Sequence, residues 1–110
     1  MELKRDQALP APIAEECRNV ARTLLASEPH VRIFLFGSRA AGRGTARSDV
    51  DVGIDLGHPI APEVMAELQE RFDALPVLQK VDLVDFADVD PAFRRIALQS
   101  AVVLHERDAA

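Results

Sequence analysis

The chain has 110 residues, a formal net charge of −5 and 48% hydrophobic residues, which bounds it to one globular domain over 1–110 with a modest core. No apolar run approaches the roughly 20 residues that span a bilayer, so no membrane partner is expected. The acidic balance repels nucleic-acid phosphate, and the single cysteine, Cys17, excludes a disulfide framework or a cysteine-based metal site within one chain.

The opening stretch "MELKRDQALPAP" carries no apolar h-region and does not read as a secretory signal. Together with the lone cysteine this points to a cytoplasmic protein. Residues 1–10 are polar without a period and read as a loose lead-in. Pro12 suits the first turn of a helix. From there Ile13, Cys17, Val20, Leu24 and Leu25 recur at helical spacing, and Pro29 is expected to close the helix. Cys17 falls on that apolar stripe and reads as a small buried residue.

"VRIFLF" (31–36) is rich in β-branched and aromatic residues and reads as a buried strand. "SRAAGRG" suits one or two helical turns capped by Ser38 and ended by Gly42 and Gly44. "DVDVGID" (49–55) alternates, which predicts a strand with Val50, Val52 and Ile54 facing the core. "GHP" (57–59) is a turn, and Val64, Met65, Leu68, Phe72 and Leu75 mark a helix from Pro62. "KVDLVDF" (80–86) reads as a third strand. "DPAFRRIALQS" (90–100) begins like a helix capped by Asp90 with Pro91 at its first position. "AVVLHE" (101–106) is a short apolar end that packs on something, followed by a frayed tail from 106 to 110. The alternation α-β-α-β-α-β-α predicts an α/β (α+β) fold, with one sheet and helices against it.

The stretch from Phe34 to Asp55 concentrates the chemistry. Residues two apart on a strand share a face, with Cα atoms roughly 6.5–7 Å apart, so Asp49 and Asp51 project together. Adjacent carboxylates repel and raise one another's pKa. A hard divalent cation relieves this, and such a pair can bridge two metals in phosphoryl chemistry. Before them comes a Gly-Ser turn at a helix start. Gly37 lets backbone approach a ligand, and free N–H groups there attract anions. Ser38 adds a donor, while Arg39, Arg43 and Arg47 supply charge for a polyphosphate. The pattern suits a metal-bound triphosphate. Asp82 and Asp85 are candidates for a third carboxylate. Three apart on a strand, they face opposite ways, and Asp82 is favoured because it enters the strand early. A carboxylate there also suits a general base.

"GSRAAGRGTARSDVDV", followed by an acidic third strand, resembles the nucleotidyltransferase superfamily related to DNA polymerase beta. The short length and the "GSRA" start are similar to its minimal nucleotidyltransferases, the MNT family, over about Ile13 to Leu104. The resemblance implies the nucleotidyltransferase fold, a small mixed sheet with helices packed on it. It implies that Gly37 and Ser38 contact phosphates and that Asp49, Asp51 and Asp82 hold two Mg²⁺ ions. Ser48, before the first aspartate, belongs to the matched motif and joins Arg39, Arg43 and Arg47 as a nucleotide-binding candidate. It further implies ATP as donor, AMP transfer to a hydroxyl, and a small helical HEPN-type partner to which this chain is the antitoxin. A non-catalytic antitoxin that works by binding, and transfer to a small molecule, are the alternatives. So short a chain leaves the acceptor to be bound by a partner or by a second copy in a homo-oligomer. Gly53 departs from the bulkier residue of many relatives. Asp55 reads as structural or solvated, and Arg71, Arg94 and Arg95 as residues of solvated helix faces. His30, His58 and His105 lack metal-ligand spacing.

Overall fold

The computed structural model describes residues 9–41 and 49–108, without the side chains of Ser38 and Arg39. In chain order its elements are helix α1 (Ala11–Arg22), strand β1 (His30–Phe36), the single turn α2 (Gly37–Ala40), strand β2 (Val50–Asp55), helix α3 (Pro62–Asp73), strand β3 (Val81–Asp85), helix α4 (Pro91–Leu98) and strand β4 (Val102–Asp108). The strands form one sheet in the order β3-β2-β1-β4. β1 is antiparallel to β2 and to β4, whereas β2 and β3 are parallel. The result is the mixed α+β sheet the sequence predicts, with one more strand.

Strand alternation divides the apolar residues between two faces. On one face Ile33, Leu35, Val50, Val52 and Ile54 are fully buried with Ile13, Cys17 and Val20 of α1 and Leu68 and Phe72 of α3. Burial pushes the Cys17 thiol up to about 12, so it packs as an apolar group. On the other face Phe34 and Phe36 meet Phe86 edge-on, with ring centroids 4.6 and 5.2 Å apart, and Ala97 of α4 covers them. Gly53 lies under this cluster. A Cβ there would stand 2.5 Å from Phe34 Cζ and 2.7 Å from Phe86 Cε1, which explains why this position carries no side chain.

Helix α4 begins as expected. Asp90 Oδ2 accepts from the N–H groups of Ala92 (2.9 Å) and Phe93 (3.4 Å), and Pro91 occupies the first turn. Its attachment to the sheet is polar. Arg94 donates to Asp55 Oδ2 and to the Phe86 carbonyl, both at 2.7 Å. The Gly57 N–H donates to Asp55 Oδ1 at 2.9 Å. Burial alone would push the Asp55 carboxyl up, but the Arg94 hydrogen bond, the Gly57 N–H and the Arg94 charge outweigh it and hold it below its ordinary value. Arg94 therefore does not lie on a solvated face. Nor does Arg71, whose Nε reaches Glu16 Oε2 at 3.0 Å and ties α3 to α1. Arg95 is exposed, as its helical position suggested.

Three further expectations are corrected. The end of the chain is not a frayed tail from 106 but strand as far as Asp108, pairing with β1. It is held by Arg32–Glu106 at 2.8 Å across the strands. Arg107 also donates to the carbonyls of Ala21, Leu25 and Glu28 at 3.1, 2.7 and 2.9 Å. His105 sits within that strand, where burial and the charges of Arg107, Arg22 and Arg18 push its pKa down. Helix α1 stops at Arg22, well before Pro29, because the Thr23 and Leu25 N–H groups fold back to Val20 O and Arg107 takes up the carbonyls beyond. Finally, α2 starts at Gly37 rather than at a Ser38 cap.

Two measurements check this packing. Gly53→Val should lower stability by roughly 1–3 kcal/mol, as overpacking does, read as an earlier urea midpoint at unchanged slope. A depressed carboxyl pKa means that the Asp55–Arg94 pair contributes fully above the unfolded value of about 3.9 and loses its contribution as pH falls through the lower folded value. The Tm difference between the parent and Asp55→Asn should therefore be constant near neutrality and shrink below about pH 4.

Candidate active site

Strand pairing assembles the site. Phe36, the last residue of β1, is the register partner of Asp51, so the chain turns away at Gly37 directly beside that carboxylate. In the parallel pair, Asp51 stands opposite Asp82. Asp49 lies one residue before β2 begins, is exposed, and still acts on Asp51 through its charge. Burial, then the charges of Asp82 and Asp49, push the Asp51 carboxyl above its ordinary value. Gly37 has φ +84°, and a Cβ there would lie 2.5 Å from Asp51 Oδ2. Backbone conformation and space both require glycine.

Asp82 Oδ1 has Lys80 Nζ 3.5 Å away. Asp85 has other work on the opposite side of the strand, accepting from the N–H groups of Ile60 (2.8 Å) and Ala87 (3.0 Å). Of the two candidates for a third carboxylate, register places only Asp82 beside Asp51. Among the described residues no three His, Cys, Asp or Glu side chains converge closely enough to hold one ion as they stand. The donor set is nevertheless the one a hard cation takes, carboxylate oxygens whose mutual repulsion a divalent charge relieves. Arg43, Arg47 and Ser48, and the side chains of Ser38 and Arg39, lie outside the described residues.

One feature of the site was not drawn from the sequence. A cavity of about 430 Å³ opens beside Gly37 and Asp51, floored by Phe36 and Val84 and walled by Phe93, Ile96 and Ala97 of α4. Phe93 and Ile96 sit three apart in "PAFRRIAL", which signals a shared helix face, yet both remain open to solvent. Among the described residues no helix is long and apolar enough to cross a membrane.

The family described as Polymerase beta, Nucleotidyltransferase matches residues 19–110. The chain is 30% identical over 95 residues to "Probable protein adenylyltransferase MntA" of Haemophilus influenzae, covering 86% of this chain and 83% of that protein. It is similar in fold to a chain of a toxin-antitoxin crystal structure with AMP-PNP, with TM-score 0.66, 20% identity, and coverage of 84% of this chain and 72% of that one. It is likewise similar to a chain of the tri-AMPylated Shewanella oneidensis HEPN toxin in complex with MNT antitoxin, with TM-score 0.55, 22% identity, and coverage of 84% and 71%. The extent of the family match and the MntA relative together carry the conclusion that this chain belongs to the polymerase beta nucleotidyltransferases and is an MntA-like minimal nucleotidyltransferase.

Proposed function

We propose that this protein transfers a nucleoside monophosphate, AMP from ATP, to a hydroxyl of a small helical HEPN-type partner protein and silences it as its antitoxin. The observation that carries this reading is the meeting of Asp51 and Asp82 in register beside Gly37, with Asp49 adjacent. Its support from relatives is the adenylyltransferase MntA and the two toxin–antitoxin structures of like fold.

In this reading Asp49, Asp51 and Asp82 would hold two Mg²⁺ ions, which supply charge neutralisation for a triphosphate and its leaving group. The Gly37 backbone and Ser38 receive the outer phosphates, helped by Arg39, Arg43, Arg47 and Ser48 of the motif. The acceptor oxygen attacks the α-phosphorus as the bond to the pyrophosphate oxygen breaks. Asp82, whose side chain is 42% exposed, takes the hydroxyl proton through an oxygen not engaged by metal. The formal net charge of −5 argues against a nucleic-acid acceptor. A second reading, silencing by contact alone, is favoured by the exposed apolar side chains Ile96, Val102 and Val103.

Asp51→Asn should cost activity by more than the roughly 100-fold that loss of an outer partner costs a metal site. It should leave Tm equal or higher, because a repulsion is removed; full activity in the folded variant would sink the metal role. Gly37→Ala should lower both activity and Tm, since left-handed backbone costs a side-chain-bearing residue about 1–2 kcal/mol before the contact with Asp51 is counted. Ser38→Ala should weaken triphosphate binding by about 1–3 kcal/mol, the range for a hydrogen bond to a charged group, measured by calorimetry with Mg²⁺ present. The biological reading is checked by incubating the protein with Mg²⁺, radiolabelled ATP and the product of its neighbouring gene. Label on a hydroxyl side chain of the neighbour is the expected result. Equal neutralisation by the Asp49→Asn/Asp51→Asn double variant, without label, would establish the contact reading instead.

A further inference from the structure

The cavity beside Asp51 is continuous with the proposed phosphate end and has a very different character away from it. Among the described residues lining it, only Asp51 and Ser100 carry polar side chains. Away from Gly37, Asp51 and Ser100 its described lining is side-chain carbon from Phe36, Val84, Phe93, Ile96 and Ala97. Its volume of about 430 Å³ lies within the ~300–1,000 Å³ usual for small-molecule sites.

Phe93 is set for stacking. Its ring meets Phe36 at right angles with centroids 6.0 Å apart, and Phe86 at 6.0 Å and 38°. These contacts hold one side of the ring, yet Phe93 remains 44% exposed. The Asp90 cap at the start of α4 and the Arg94–Asp55 link fix the helix that carries it. Among the described residues, a nucleotide with its phosphates at Gly37 and Asp51 continues into the cavity onto this surface.

We propose that the cavity takes the purine ring of the donor by stacking on Phe93 and contact with Ile96 and Val84, and that it selects ring size without distinguishing adenine from guanine. The proposal rests on the nucleotidyltransferase reading above and adds the donor's specificity to it. The physical reason is the composition of the wall. Adenine and guanine differ in the hydrogen-bonding groups at their edges, and strong discrimination between such analogues requires a site built to pair with those groups. Stacking is tolerant of base identity because every base has a π face. A purine covers more of the apolar wall than a pyrimidine does, and binding by apolar contact grows with the area covered.

The test is binding of ATP, GTP, CTP, UTP and inorganic tripolyphosphate, each with Mg²⁺, to the full chain by calorimetry. ATP and GTP should bind within about tenfold of each other, and both more tightly than CTP and UTP. Phe93→Ala should weaken the purine triphosphates by about tenfold, the scale of one lost base stack, and leave tripolyphosphate unchanged. Circular dichroism verifies that the variant is folded. Should Phe93→Ala fail to fold, Ile96→Ala, at a position 64% exposed, replaces it with a smaller loss in the same direction. A preference between ATP and GTP above tenfold, or pyrimidines bound as tightly as purines, overturns the proposal. So does a folded Phe93→Ala that binds all five ligands as the parent does, which would leave the cavity to another group such as an acceptor side chain. Absence of binding by all five ligands to the parent chain would instead refute the nucleotide site itself, and this proposal with it.

Discussion

Asp51 is held between Gly37 and Asp82 by the register of two different strand pairs, one antiparallel and one parallel, and the rest of the site is arranged around that placement. Like charges directly opposite in a sheet are destabilising, and partial burial of Asp51 adds to the cost. The opposite face supplies the compensation. Val50, Val52 and Ile54 leave β2 on that side and are fully buried. Each such side chain contributes about 1.5–3 kcal/mol, whereas one pKa unit corresponds to about 1.4 kcal/mol. The alternation of a single strand therefore joins the strained carboxylate to the residues that stabilise it, and the strand cannot slip without exchanging the two faces.

The aromatic face has a different task, which is to place α4. Phe34 and Phe86 close over Gly53, leaving no room for a side chain at that position. Asp55, on the same strand face as Asp51, is turned away from chemistry by Arg94 and the Gly57 N–H. This matters because the pattern Asp51, Gly53, Asp55 on one face looks like a longer row of ligands than it is. The one carboxylate faces an open cavity. The other is a buried anchor for the helix that forms the cavity wall. Their environments give them opposite pKa directions, upward for Asp51 and downward for Asp55.

Edge strand β4 completes the sheet by means that owe little to apolar patterning. Its second half, His105 to Asp108, is charged or polar, and it is retained as strand by pairing with β1 and by Arg107 reaching three carbonyls near the end of α1. That guanidinium is a donor shared by all three, added at Leu25 to the N–H of Glu28, which donates to the same carbonyl at 3.1 Å. The same contacts explain why α1 ends where it does, long before the proline that sequence reading assigns as its stop.

Local features of the sequence were sufficient where the determining interactions are themselves local. The apolar run of β1, the alternation of β2, the Asp90-Pro91 start of α4 and the Gly-Ser…Asp-x-Asp spacing each act within a few residues, so their consequences are readable in the chain. The polymerase beta nucleotidyltransferase family follows from the same short motif. Tertiary structure alone decided which later aspartate stands beside Asp51, because register between distant strands aligns Asp82 there while Asp85 caps backbone on the other side. It also decided that Arg94 and Arg71 are ties rather than solvated charges, that the charged C-terminal residues form a strand, and that Phe93 and Ile96 wall a cavity. Those outcomes depend on partners thirty or more residues away, and a charged side chain carries no mark of whether water or a distant carboxylate will receive it.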